Sequence, residues 1–349
     1  MEEISTSSPV AAGQQQKACI SCGNPQILHG YPNALCEECR EKYIKFPVPL
    51  WVKAFGGALA LLVIFLLFNL PKTLSAGIGY ERGIKAEEAK KYETEQQEME
   101  RVVQAMPAYT EAKAHLLIAA FYNNDLGTIA GMAQQLSGKK IDDEELFRET
   151  DAMLTKSDSY FPTDSFAALL KKYPDSTGGI PDAAFKRFVL QTPDDLFAKM
   201  RYASVLDNEK NYTASDSMLQ VVLQKDAAYI PALEFIEGLK RVMNDTKASF
   251  DYCDKLLAIN HESLFALAGK ARTFLKTNQP KQALQYALQA YNIKPTDGYS
   301  YATLVMAYHF NNMPKERDAL IDKAKKSKDP VIEGYMKYAL DVINKKDQL

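Results

Sequence analysis

The sequence predicts a mainly α fold, an α-solenoid preceded by a small four-cysteine head and one membrane-spanning helix, and three observations predict it. The C-terminal region matches itself at a spacing of 34 residues, with gapless frames opening at Leu196, Ile230, Leu264 and Gly298. Residues 54–70 carry no charge. Four of the five cysteines precede that run, in two Cys-x2-Cys pairs. A net charge of -2 gives no reason to expect a nucleic-acid partner. With 25 % charged and 46 % hydrophobic residues over 349 positions, the remainder has a globular composition and is long enough for two or three domains.

Residues 1–17 are rich in Ser, Gln and Ala with few apolar side chains, and are expected to form a disordered tail. Residues 18–46 follow as a finger. Cys19, Cys22, Cys36 and Cys39 are spaced so that two tight knuckles place four sulfurs round one tetrahedral ion, with zinc the natural occupant. Gly23 permits the positive φ that such a knuckle needs, and Gly30 and Pro32 punctuate the connecting loop. Residues 37–44 read as a helix, which places the last ligands at a helix N-terminus where the dipole stabilises thiolate. Two disulfides and an iron site are the alternatives; a redox pair lacks a surrounding βαβ pattern. The segment resembles the zinc-ribbon and treble-clef fingers. That resemblance implies one structural zinc supplying most of the folding energy, and a binding or stabilising role.

Residues 48–71 form the predicted transmembrane helix, since about 20 apolar residues rising 1.5 Å each cross a hydrocarbon core of roughly 30 Å. Trp51 suits an interface, and Lys53 can snorkel. Some fifty residues precede the run and no Ala-x-Ala follows, which argues against a cleaved signal. Ala54 with Ala58, and Gly56 with Ala60, offer a close-packed homodimer face. Arg40, Lys42, Lys45 and Lys53 before the run outnumber Lys72, Arg82 and Lys85 after it, a slight preference for an inside N-terminus. A four-thiolate site needs a reducing compartment. The expectation is therefore a single-pass membrane protein with a cytoplasmic zinc head and an extracytoplasmic repeat domain.

Residues 72–106 are expected to be a linker: Gly77, Gly79 and Gly83 as a flexible exit, then a solvated helix over 80–104 rich in Glu, Lys, Gln and Ala, without a sustained heptad. Residues 107–195 read as helical, degenerate copies of the repeat, broken at Asn123, Asn124 and Gly127, with a further unit over 162–195 that Pro174 interrupts.

Four full repeats occupy 196–229, 230–263, 264–297 and 298–331. In the third, Leu267, Ala271, Phe274, Ala283, Ala287, Ala290 and Pro295 fall at places 4, 8, 11, 20, 24, 27 and 32. This pattern resembles the tetratricopeptide repeat (TPR), in which small residues at places 8 and 20 let two antiparallel helices approach and the proline ends the second. Glu237 at a small-residue place, with Lys240 and Arg317, departs from it. Residues 332–349 are expected to form a helix that caps the stack.

The resemblance implies a concave groove lined by the first helix of each repeat, here with Phe197, Phe265, Arg272, Tyr299 and His309 as partner-binding residues for a protein or peptide. Packing between repeats is an equal alternative for these aromatics. The lysine and asparagine clamp of chaperone-binding members is absent, because its places hold Met200, Glu234, Ala268 and Ala302, then Ser204, Gly238, Arg272 and Met306. No enzyme signature appears: the four histidines are scattered, and Cys253 falls at a core place of its repeat. The sequence thus predicts a membrane-anchored, non-enzymatic scaffold or adaptor. Its alternative is a transmembrane signalling protein coupling groove occupancy to the finger.

Overall fold

The computed structural model describes residues 18–44, 48–173 and 179–345, without side chains at 67–71. The expected tail at 1–17 and Pro174 lie outside the described residues. Secondary structure among those residues is helical, with no strand. Two units are present, Met1–Leu70 and Pro71–Leu349.

In the first unit, the Cys19 knuckle closes by Gly23 N donating to Cys19 O at 2.9 Å, with Gly23 at φ +73°. Ile20 N donates to Ala34 O and Leu28 N to Leu35 O, joining the knuckle to the strand-free segment before α1 (Glu37–Ile44). Glu37 and Glu38 in the first turn of α1 complement its dipole. Helix α2 (Leu50–Glu88) then begins, and the division between the units falls inside it.

No helix among the described residues is long and apolar enough to cross a membrane, so the span expected at 48–71 is not supported there. The described side chains at 50–66 cover only about 25 Å of helix and are interrupted by the charge of Lys53, short of a hydrocarbon core of roughly 30 Å. The expected span also falls on residues 67–71, whose side chains lie outside the described residues. From Leu50 to Leu66 nearly every side chain is exposed.

In the second unit, helices α9 (Leu196–Asn208), α11 (Ile230–Val242), α13 (Leu264–Lys276) and α15 (Gly298–Phe310) each have 13 residues. Each is followed by a 14-residue partner: α10 (Tyr212–Lys225), α12 (Thr246–Ile259), α14 (Pro280–Ile293) and α16 (Pro314–Ser327). Ala203, Ala271, Ser215, Ser249 and Ala283 are fully buried where paired helices meet. Asp195, Ser263 and Asp297 cap the first helices, and Asn211 and Asp245 cap second ones. Pro280 and Pro314 open α14 and α16, where no backbone donor is needed.

The turn inside each pair is one repeated device. Lys210, Asn244, Asn278 and Asn312 all have left-handed φ, from 55° to 63°, and the next N–H returns to a carbonyl five residues back. The same turn occurs at Lys90 and Asn124, where Lys91 N donates to Ala86 O and Asp125 N to Ala120 O. The end of α2 with α3 (Tyr92–Ala105), and α4 (Thr110–Tyr122) with α5 (Leu126–Leu136), are therefore hairpins of the same kind.

This changes the reading of 72–106. Instead of a solvated linker, α3 buries Tyr92, Glu95, Gln96, Met99 and Val102 and packs on α4. Gly79 and Gly83 lie within α2, where added Cβ atoms would stand 3.2 Å from Val102 Cγ2 and 2.5 Å from Met99 Cε. They allow α2 and α3 to approach closely rather than supplying a flexible exit.

Between the two sets of hairpins lie α6 (Glu144–Ser157), a 3₁₀ turn (Asp158–Tyr160), α7 (Asp164–Lys172) and α8 (Asp182–Gln191). Tyr160 and Tyr229 meet edge-to-face at 4.8 Å, and the Tyr229 hydroxyl donates to Ser159 O. Phe166, Phe185 and Tyr202 form a separate apolar cluster.

The last helix, α17 (Pro330–Ile343), buries Ile332, Met336, Ala339 and Val342 against Tyr301, Val305 and Met306 of α15. Its close approach rests on Gly298, whose bare Cα faces Tyr335 and Val331. Gly298→Ala would put a methyl 2.7 Å from Tyr335 Cδ2 and 3.2 Å from Val331 O. The expected loss is about 1–3 kcal/mol in urea unfolding, and an unchanged midpoint would show that α17 is not seated there.

Candidate functional site

The first candidate site is the cysteine head. Each of the four cysteines is free, and their sulfurs lie within 4.8 Å of one another. Cys22 and Cys36 are 3.5 Å apart. Sulfurs round a tetrahedral zinc at 2.3 Å would be about 3.8 Å apart, so the cluster matches one tetrathiolate ion after a small adjustment. A backbone hydrogen bond from Cys36 draws the Cys19 thiol down to about 6, while at Cys22 a backbone hydrogen bond from Asn24 is outweighed by the Cys39, Cys36 and Cys19 side chains, which hold that thiol up. All-sulfur donors suit zinc or iron. His29 is exposed in the intervening loop and is not part of the cluster.

The second is the face made by the first helices of the repeats. Phe265 and Tyr299 stack with centroids 4.9 Å apart and planes 1° from parallel. The Arg272 guanidinium lies 3.7 Å above the Tyr299 ring, and its Nε donates to Thr303 Oγ1 at 2.8 Å. Arg272 is only 4 % exposed, so it braces α13 against α15 instead of presenting a charge to solvent. Phe197 is elsewhere, packed edge-on to Phe166, and His309 sits beside Arg317. The structure thus brings together Phe265, Arg272 and Tyr299 and leaves Phe197 and His309 apart.

Beneath Tyr299 is a buried ionic network. Glu237 Oε1 accepts from Arg241 Nη1 at 2.6 Å and from Ser249 Oγ at 2.8 Å, while Arg241 Nη2 donates to the Tyr299 hydroxyl. The carboxylate fits because residue 269 is glycine: a Cβ there would come within 2.9 Å of it. Burial lowers the basicity of Arg272; at Arg241 burial acts the same way, but Glu237, Tyr299 and Tyr338 together more than offset it and raise its basicity.

A cavity of about 380 Å³ opens beside Phe265 and Tyr299. Its other walls include Glu93 at the start of α3 and Asn124 and Asp125 at the α4–α5 turn, together with Glu234, Lys294 and Asp297. Asn124 Nδ2 donates to Glu234 Oε2 at 2.7 Å, and Lys294 Nζ reaches Glu93 at 3.1 Å. A second cavity of about 410 Å³ shares Asn124, Glu234 and Phe265. Burial pushes Glu234 up to about 7, against the Asn124 hydrogen bond. Burial likewise raises Glu93, against the attraction of Lys294. Asn124 Oδ1 is buried without a partner.

The early hairpins are tied to this face by backbone as well as side chains. His261 N donates to Lys90 O, Thr94 N and Oγ1 both donate to Glu262, and Asn260 Nδ2 donates to Asn123 Oδ1. Glu93, Asn124 and Asp125 were missing from the sequence-level site because they belong to hairpins read there as linker or degenerate repeat. The 34-residue recurrence from Lys90 to Asn124 is the signal that would have found them.

No known family model matches the chain, and no curated protein matches it. Among solved structures, it is similar to a tetratricopeptide repeat protein from Parabacteroides merdae, at 10% identity and TM-score 0.39, covering 76% of this chain and 99% of that one. A MamA structure gives 16% identity and TM-score 0.36, covering 50% and 94%. YrrB, described as a TPR protein with an unusual peptide-binding site, gives 16% identity and TM-score 0.33, covering 46% and 93%. These are weak likenesses, and the helical-hairpin solenoid rests on this chain's own turns and helix lengths.

Proposed function

We propose that this chain is a membrane-attached, non-enzymatic scaffold that seats a segment of a protein partner beside Phe265 and Tyr299, with one structural zinc in its head. The observation that carries the binding role is the pair of cavities meeting at Asn124 and Glu234, where an aromatic wall adjoins a buried acceptor without a donor. Glu93, Asp125, Glu234 and Asp297 outnumber Lys294. A peptide rich in N–H donors, with Lys or Arg side chains, suits that balance. A scaffold reading is also supported by Cys253, which is fully buried, with its thiol pushed well up by burial and then by Glu237.

Membrane attachment is supported by the charge-free sequence from 54 to 70 and by the exposed apolar side chains at 50–66, which lipid would cover on all sides. In this reading the head lies in the cytoplasm and the repeats outside it. Capture with the full chain and with a Glu234→Ala, Phe265→Ala variant tests the groove: a partner's affinity should fall more than about tenfold while helical content is kept. Equal capture by both chains would refute it. Protease added to intact cells should digest the repeats and spare the head; protected repeats would reverse the topology.

A further inference from the structure

Three helices converge on a cluster separate from both sites above. Glu87 lies in the last turn of α2, Glu95 in α3 and His115 in α4, and one ligand atom from each falls within 4.8 Å of the others. His115 Nδ1 is 2.6 Å from Glu87 Oε2 and 4.0 Å from Glu95 Oε1. Glu95 has no solvent exposure, and neither of its carboxylate oxygens has a hydrogen-bond partner. Left ionised, a fully buried carboxylate that accepts no hydrogen bond is costly.

The surroundings favour a cation. Glu149 of α6 adds a further acidic group near Glu87 and His115. Tyr80 packs edge-on to His115, while Tyr92 and Tyr122 stack on each other. No lysine or arginine is paired with the three ligand residues among the described ion pairs. We propose that Glu87, Glu95 and His115 bind one divalent first-row transition-metal ion, which pins α2 to α3 and α4.

Two carboxylates and one imidazole form a borderline donor set that suits zinc, cobalt or manganese. Binding displaces the proton between His115 and Glu87 and gives the Glu95 oxygens the partner they lack. This site is chemically distinct from the all-sulfur head.

Cobalt(II) is the probe, because thiolate ligation gives intense sulfur-to-metal charge-transfer bands and an oxygen–nitrogen site gives only weak ligand-field bands. The full chain carrying Cys19→Ser and Cys36→Ser is loaded with cobalt and freed of excess metal. It should retain one ion per chain with an oxygen–nitrogen spectrum. Adding Glu95→Gln, which keeps the side chain's shape, should remove that ion without loss of helix; His115→Gln should do the same. An empty double-serine chain, or an ion that survives both further substitutions, overturns the proposal. The native chain with Glu95→Gln alone should still show the thiolate spectrum, so failure of the head and failure of this site read out separately.

Discussion

Arg241→Ala is expected to destabilise the repeat unit by about 3–5 kcal/mol, the cost of leaving a buried charge without its partner. Glu237 has no solvent exposure, and among the described residues Arg241 supplies its only charged hydrogen bond. After truncation, the carboxylate would retain only the Ser249 hydroxyl among the donors that now reach it. The Tyr299 hydroxyl would also lose its arginine donor, loosening the wall of the candidate groove. Melting temperature should fall on the order of ten degrees. Replacing both partners, as Glu237→Leu with Arg241→Met, should recover most of the loss, because the paired desolvation penalty disappears too. A single variant that melts like the native chain would mean that water reaches the pair.

Removing the proposed zinc from the head, by chelation or by Cys36→Ser, should unfold residues 18–44 while leaving the repeats helical. Little else holds this segment together: its apolar core is Leu35 and the cysteines themselves, with Ile27 packed alongside. Structural zinc contributes about 10–16 kcal/mol in comparable small fingers, far more than so few side chains supply by burial. Limited proteolysis checks this directly. Cleavage within the head should become fast on chelation and slow again on adding zinc, with circular dichroism of the repeat unit little changed. A cleavage rate indifferent to chelator would exclude metal as the stabilising agent.

The helical hairpins were legible where side-chain size reports packing. Ala271 and Ala283 are small because two helix axes approach there, and both are fully buried. Helix α3 was not legible in that way. Its buried face includes Glu93, Glu95 and Gln96, so hydropathy reads it as solvated, and partners distant in sequence make the burial of Glu93 and Gln96 tolerable. Lys90 hid the break before it, because lysine is not a residue that announces a left-handed turn. At the candidate groove, repeat position placed Phe265 and Tyr299 on one face, but Thr303 and the Tyr299 ring draw Arg272 into the interior. The uncharged run shows the opposite limit: its composition is plain in the sequence, yet its described side chains are nearly all exposed.

Thr94 and Glu262 are bonded across 168 residues, and that link changes how this array can fold and evolve. An open stack communicates only between neighbours, frays from its ends and tolerates an added copy. Here the two sets of hairpins are buttoned to each other, so end-fraying is coupled to the middle of the chain and loss of either set should propagate. The long loop must close before those bonds form, which makes their closure a late and entropically demanding event. Insertion of one more hairpin between residues 124 and 260 would shift the buttonhole away from its button, leaving this array with a fixed count rather than an extensible one.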